Sequence, residues 1–111
     1  MSTQDPLLKA LETARARMMD AEGAPVLPGW DRKIQYYFTD VDEYWAMEVE
    51  DGHPLPVRRA ELDDADIRLT MSTETFIGLM NKTINGLVAM TSGKVKVKAS
   101  MADMRKMQIF M

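Results

Sequence analysis

Apolar residues recur at helical spacing where the chain starts, then at every second position through its middle. Leu7, Leu11, Ala14 and Met18 lie on one helical face behind Asp5 and Pro6. Asp5 suits an N-cap and Pro6 the first helical position, and Gly23 is expected to stop the helix. APVLPG follows, with two prolines and a glycine, and is read as a connector. In RKIQYYFTD the period becomes two: Ile34, Tyr36 and Phe38 share one face, while Lys33, Gln35 and Tyr37 share the other. EYWAMEVED repeats this, with Trp45, Met47 and Val49 inward and Tyr44, Ala46 and Glu48 outward. The two segments predict an antiparallel pair joined through TDVDE. Asp51-Gly52 is a tight-turn signal leading into a third strand, HPLPVRRAEL, whose prolines predict a sheet edge or a bulge.

The second half continues with IRLTM, where Ile67, Leu69 and Met71 face inward and Arg68 and Thr70 outward. Ser72 is a natural N-cap and Glu74 suits the positive end of a helix dipole. That helix shows Phe76, Leu79, Met80 and Thr83 on one side. A short helix is expected over residues 86–92, ended by Gly93. KVKVKA then alternates Val95, Val97 and Ala99 with Lys94, Lys96 and Lys98. Met101, Met104, Met107 and Phe110 recur every third residue and predict a final helix.

One-sided strands and amphipathic helices point to an α/β (α+β) architecture, a five-stranded and mostly antiparallel sheet with one face covered by helices. The 111 residues suffice for one domain with a real core. Charge is unevenly placed: residues 1–66 carry 7 basic and 15 acidic side chains, residues 67–111 carry 7 and 2. The simplest expectation is that the halves pack together and neutralise one another. The alternative is a basic face for an anionic head group or membrane surface. The overall acidity and the lack of a basic patch interleaved with aromatics argue against nucleic acid. No apolar run is long enough to span a bilayer, and the start has no signal-peptide pattern, so cytoplasm is the expectation.

Candidate chemistry is sparse. The chain has no Cys and one His, His53, which follows a turn and is expected to be exposed. No nucleophile–base pair, glycine-rich phosphate loop or calcium-loop spacing occurs. The acidic groups Asp40, Asp42, Glu43 and Asp63, Asp64, Asp66 are expected to be solvated turns. A non-enzyme without cofactor or metal is therefore expected. What stands out is the methionine content: Met71, Met80, Met90, Met101, Met104, Met107 and Met111 fall in the last 46 residues. Methionine is unbranched and polarizable and lines irregular cavities well. A stripe of this kind fits a filled core as well as a ligand-lined wall.

DADIRLTMS, STETFIGLM and above all LVAMTSGKVKVKASMADMRKMQ give the C-terminal half the appearance of a known family. With YWAMEVEDG running into its glycine turn, residues 30–110 resemble the sterol carrier protein-2 (SCP-2) lipid-binding domains, the matching positions being Ala89, Gly93, the Lys94–Lys98 alternation and Met101. Ala99-Ser100 stand where the family often has Gly, and the residues 81–85 replace its frequent Gly-x-x-x-Pro. The resemblance implies a single SCP-2-like domain over residues 1–111, a stand-alone bacterial or archaeal form, with an apolar tunnel between sheet and helices. It implies non-catalytic binding of a fatty acid, acyl-CoA, sterol or other lipid. The expected wall is Phe76, Met80, Ile84, Leu87, Met90, Met101, Met104 and Met107, and the expected floor is Phe38, Trp45, Met47 and Met71. Contact with a membrane surface would be at most transient. The competing reading is an interaction module or homodimer that uses the Met-rich C-terminal helix and has no open cavity.

Overall fold

Strand register turns the period-two pattern into a one-sided sheet. The computed structural model describes residues 4–108; Phe110, Met111 and the capping role assigned to Asp5 lie outside what it describes. The elements are α1 (Gln4–Ala16), β1 (Arg32–Phe38), β2 (Glu43–Glu50), β3 (His53–Pro54), β4 (Arg58–Arg59), β5 (Ile67–Met71), α2 (Thr73–Met80), α3 (Gly86–Thr91), β6 (Lys96–Lys98) and α4 (Met101–Met107). The sheet order is β3-β2-β1-β5-β6, with β4 also pairing β2. Every pairing is antiparallel except β1 with β5. Tyr36 lies opposite Trp45 on one side and Leu69 on the other, and Leu69 lies opposite Val97, so one continuous apolar row crosses four strands. Ile34 with Met47 and Ile67, and Phe38 with Met71, form parallel rows. Helices α1 and α2 cover this face through Leu7, Leu11, Ala14, Phe76 and Leu79, all buried.

Local chemistry fixes the elements. Asp51 and Gly52 both take positive φ, 52° and 78°, joining Glu50 to its partner His53 as the Asp-Gly signal predicts. A side chain at Gly52 would meet the Leu27 carbonyl oxygen at 2.3 Å. Ser72 caps α2 by accepting the Thr75 N–H. Arg17 closes its other end, donating to the Met80 carbonyl at 2.5 Å, where the helix leaves its last acceptors unpaired.

The structure corrects several expectations. α1 ends at Ala16, well before Gly23: the Met18 and Met19 N–H groups turn to the carbonyls of Arg15 and Ala16, three residues back, and Asp20 Oδ1 then accepts the N–H groups of Glu22 and Ala24 in a turn; Met18 is buried nonetheless. The third strand is two pieces, since Pro54 and Pro56 lack the N–H a ladder needs. Gln35 and Ala46, assigned outward, are buried at 1% exposure each. Residues 60–62 cross behind the sheet, and Gln35 binds them: its amide donates to the carbonyls of Trp45 (2.8 Å) and Ala60 (2.9 Å) and accepts the Leu62 N–H. The acidic groups are also more than solvated turns. Asp40 accepts from the backbone and hydroxyl of Thr73, adding a second cap to α2, and Asp64 and Asp66 hold the ammonium and backbone of Lys33. Finally, the charged halves do not neutralise each other by pairing. Among the described residues the ion pairs are Arg15–Glu12, Lys33–Asp64, Arg58–Glu48, Arg59–Glu43 and, alone between the halves, Arg32–Asp103.

Candidate functional site

Helices α3 and α4 flank β6 at the sheet edge and enclose an apolar cleft. Asn85 starts α3 by accepting the N–H groups of Leu87 (2.9 Å) and Val88 (3.2 Å). Gly93, at φ 80°, ends it. The Lys94 and Val95 N–H groups then donate back to the Ala89 carbonyl and aim the chain into β6. Ala89 is the one buried residue of α3. Ser100 caps α4, accepting the Asp103 N–H at 3.1 Å.

Asp103 anchors α4 to the rest of the molecule. Its carboxylate accepts the Trp30 indole N–H at 3.0 Å and the Arg32 Nε–H at 2.9 and 3.1 Å. The Arg32 guanidinium lies 5.8 Å from the Trp30 ring centroid. Burial alone would raise the Asp103 pKa, but Arg32, Trp30 and Ser100 outweigh it and hold the carboxyl below its ordinary value. The sequence carried a sign of this anchor in Ser100-x-x-Asp103, a capping-box spacing, but nothing pointed to Trp30 or Arg32 as its partners.

The cleft has a volume of about 290 Å³ and is lined by Gly86, Leu87, Met90, Val97, Met104, Met107 and Gln108. Of the twelve residues expected to line a lipid site, Leu87, Met90, Met104 and Met107 meet here. Met71 and Ile84 line a neighbouring recess of about 400 Å³, whose wall also holds Thr39, Thr70, Ser72, Glu74, Lys94 and Lys96. Phe38, Trp45, Met47 and Phe76 belong to the packed core. Rings of Tyr36, Phe38 and Phe76 lie 5.3–6.0 Å apart there and occupy the space between sheet and helices. Met80 lies between α1 and α2, and Met101 is 70% exposed. Gly86, Val97 and Gln108 were not among the expected residues. Val97 was legible as an inward strand position; Gly86 and Gln108 reach the cleft through chain turns that no periodicity encodes.

His53 is exposed, its Nδ1 beside the Asp51 carbonyl. Among the described residues, no group of three or more His, Asp or Glu is placed to hold a metal ion, and no helix is long and apolar enough to cross a membrane.

Comparison with known proteins places this geometry. The model of the SCP-2 sterol transfer family matches residues 8–111. No curated protein matches the sequence. Among solved structures, sterol carrier protein-2 from Aedes aegypti in complex with palmitate is 17% identical, with TM-score 0.69 over 99% of this chain and 96% of that one. Sterol carrier protein 2 like 2 from the same organism is 17% identical, with TM-score 0.67 over 97% of each chain. The stereoselective inverting sec-alkylsulfatase Pisa1 from Pseudomonas sp. is 16% identical with TM-score 0.68 over 85% of this chain. The chain spans only 14% of that enzyme's length. At these identities the likeness is one of fold: a mixed α/β sheet with helices on one face. The match to the family model is of a different kind, for it covers nearly the whole sequence, and the chain belongs to the SCP-2 sterol transfer family.

Proposed function

We propose that this chain binds and carries a lipid with a long apolar chain, a fatty acid or acyl derivative foremost, without transforming it. The observation that carries the reading is the cleft between α3, β6 and α4, walled by Leu87, Met90, Val97, Met104 and Met107. Family membership and the palmitate complex of a structural relative support it. A volume of about 290 Å³ lies at the small end for ligand sites. A long chain therefore outgrows the cleft and is accommodated by shifts of Met104, Met107 and α4, whose polar hold is concentrated at Asp103. Methionine side chains adapt readily, so the site discriminates by apolar area more than by shape. Each further buried methylene contributes about 0.8 kcal/mol, roughly fourfold in affinity, until the wall can move no further.

Displacement of a fluorescent fatty acid by palmitate, read by titration, tests this. Wild-type protein shows saturable, one-to-one binding. Met104→Glu places a carboxylate against the acyl chain, and the unpaired charge weakens binding about 100-fold or more. Retained affinity in that variant, with the fold intact by circular dichroism, removes the cleft from the binding site.

A further inference from the structure

The methionines fall into two classes by their access to solvent. Met18, Met47, Met71, Met80 and Met107 are buried, none more than 5% exposed. Met90 and Met101 are exposed, at 36% and 70%, and Met19 and Met104 are half-buried. Three of these four accessible residues belong to α3 and α4. Of the three, Met90 and Met104 line the cleft from its two helices, and Met101 does not. The chain has no Cys, so thioethers are its oxidisable sulfur. The fold therefore seals the sulfur of its core and leaves sulfur open in a wall that Leu87, Val97 and Met107 otherwise make apolar.

We infer that Met90 and Met104 form a reversible oxidation site that switches the cleft off to its ligand. The oxidant is a hydroperoxide, of which hydrogen peroxide is the simplest. The sulfur lone pair attacks one peroxide oxygen, and an S–O bond forms as the O–O bond breaks. The departing hydroxide takes the proton left on the transferred oxygen and leaves as water. Sulfur loses two electrons and the peroxide gains them. The product is a methionine sulfoxide, which exchanges a flexible apolar group for a polar one. The inference rests on the carrier reading proposed above, in which an acyl chain fills this cleft. A sulfoxide in the wall then faces hydrocarbon in place of water, which weakens binding about tenfold or more. Occupancy acts back on the chemistry. A bound chain covers the sulfurs of Met90 and Met104 and slows their oxidation, while Met101, outside the cleft, reacts at an unchanged rate. Close packing keeps peroxide from Met18, Met47 and Met71.

Mild treatment of the folded chain with hydrogen peroxide tests this, mapped by peptide mass spectrometry and followed by displacement of a fluorescent fatty acid with palmitate. Met90, Met101 and Met104 should gain oxygen, Met18, Met47 and Met71 should not, and the circular dichroism should stay that of the folded chain. Affinity for palmitate should fall about tenfold or more and return after treatment with methionine sulfoxide reductase. Each variant is compared with its own untreated form. Met101→Leu should lose affinity on oxidation as wild type does, whereas Met90→Leu/Met104→Leu should not. Palmitate added before the peroxide should protect Met90 and Met104 and leave Met101 unprotected, a readout that needs no variant. Unchanged affinity once Met90 and Met104 are oxidised overturns the inference. So does oxidation of Met101 alone, an equal loss in Met90→Leu/Met104→Leu, or oxidation of Met90 and Met104 at the same rate with and without bound palmitate. Each of these leaves the carrier reading standing. Untreated wild type that takes up no palmitate overturns both.

Discussion

The two ends of the sheet are built differently. Around β1, β2 and β5, under α1 and α2, side chains interlock: Ile34, Phe38, Met47, Ile67, Leu7 and Leu11 are fully buried, and the rings of Tyr36, Phe38 and Phe76 pack together among them, the first two stacked and Phe76 tilted against both. Around β6, the helices α3 and α4 are short; α3 buries one residue, and α4 buries Asp103 and Met107. Methionine serves both ends in opposite ways. Met18, Met47 and Met71 fill the rigid core, whereas Met90 and Met104 line an open cleft and Met101 faces solvent. The difference teaches that one half is closed by packing while the other leaves an open cleft, and that methionine content alone does not tell the two apart.

Breaking the rigid half should have the largest effect. Phe76→Ala is expected to cost about 4 kcal/mol in thermal or denaturant unfolding, from lost burial and the cavity left behind. Met104→Ala, in the loose half, should cost less than about 1 kcal/mol, because the site is already open. Similar losses for the two would erase the contrast. Removing the anchor of α4 comes next. Asp103→Ala removes the carboxylate that accepts from the Trp30 indole N–H and from Arg32, and should cost about 2 kcal/mol. Hydrogen exchange should then accelerate in α4 while β1 and β5 stay protected; uniform acceleration would show that the two halves open together.

Acid should reach the same anchors. Asp40 and Asp103 both titrate below their ordinary value in the folded chain, burial being outweighed by Thr73 at the first and by Arg32 and Trp30 at the second. An unfolded chain therefore takes up these protons first, near pH 4 by the usual aspartate value of about 3.9. Their stabilisation is complete above that pH and is lost as pH falls through the depressed folded values. The Trp30 indole N–H resonance, followed by NMR, should hold its position down to about pH 4 and shift below it. In Asp103→Ala that shift should vanish. The smallest expected effect lies where the two halves join. Lys82 is held at φ 64°, a left-handed conformation costing about 1–2 kcal/mol for a residue with a Cβ. Lys82→Gly relieves this against about 0.5–1 kcal/mol of added chain entropy, so a net gain of about 0.5 kcal/mol should appear in the unfolding midpoint. A loss would mean that the lysine side chain contributes more than its backbone costs.

Much was legible in the sequence because it is written in local period. Alternation in β1, β2, β5 and β6 gave each strand its inward face, since successive strand side chains point to opposite sides. Asp51-Gly52 specified its turn and Ser72 its cap, each through chemistry confined to a few residues. The family pattern in residues 30–110 likewise lies in contiguous segments such as YWAMEVEDG and LVAMTSGKVKVKASMADMRKMQ. Other features required the folded chain. Gln35 looked outward by parity; only the return of residues 60–62 behind the sheet made it a buried amide. Asp40 and Asp66 looked like solvated turn acids until the helix start at Thr73 and the backbone of Lys33 arrived beside them. Asp103 meets Trp30 and Arg32 across more than 70 residues of chain, a distance over which no spacing rule operates. The methionines divide in the same way. Their period put them on the apolar faces of helices, but whether an apolar face is filled or left open depends on what packs against it. That is decided by the tertiary contacts: α1 and α2 close over one end of the sheet, and α3 and α4 leave a gap at the other.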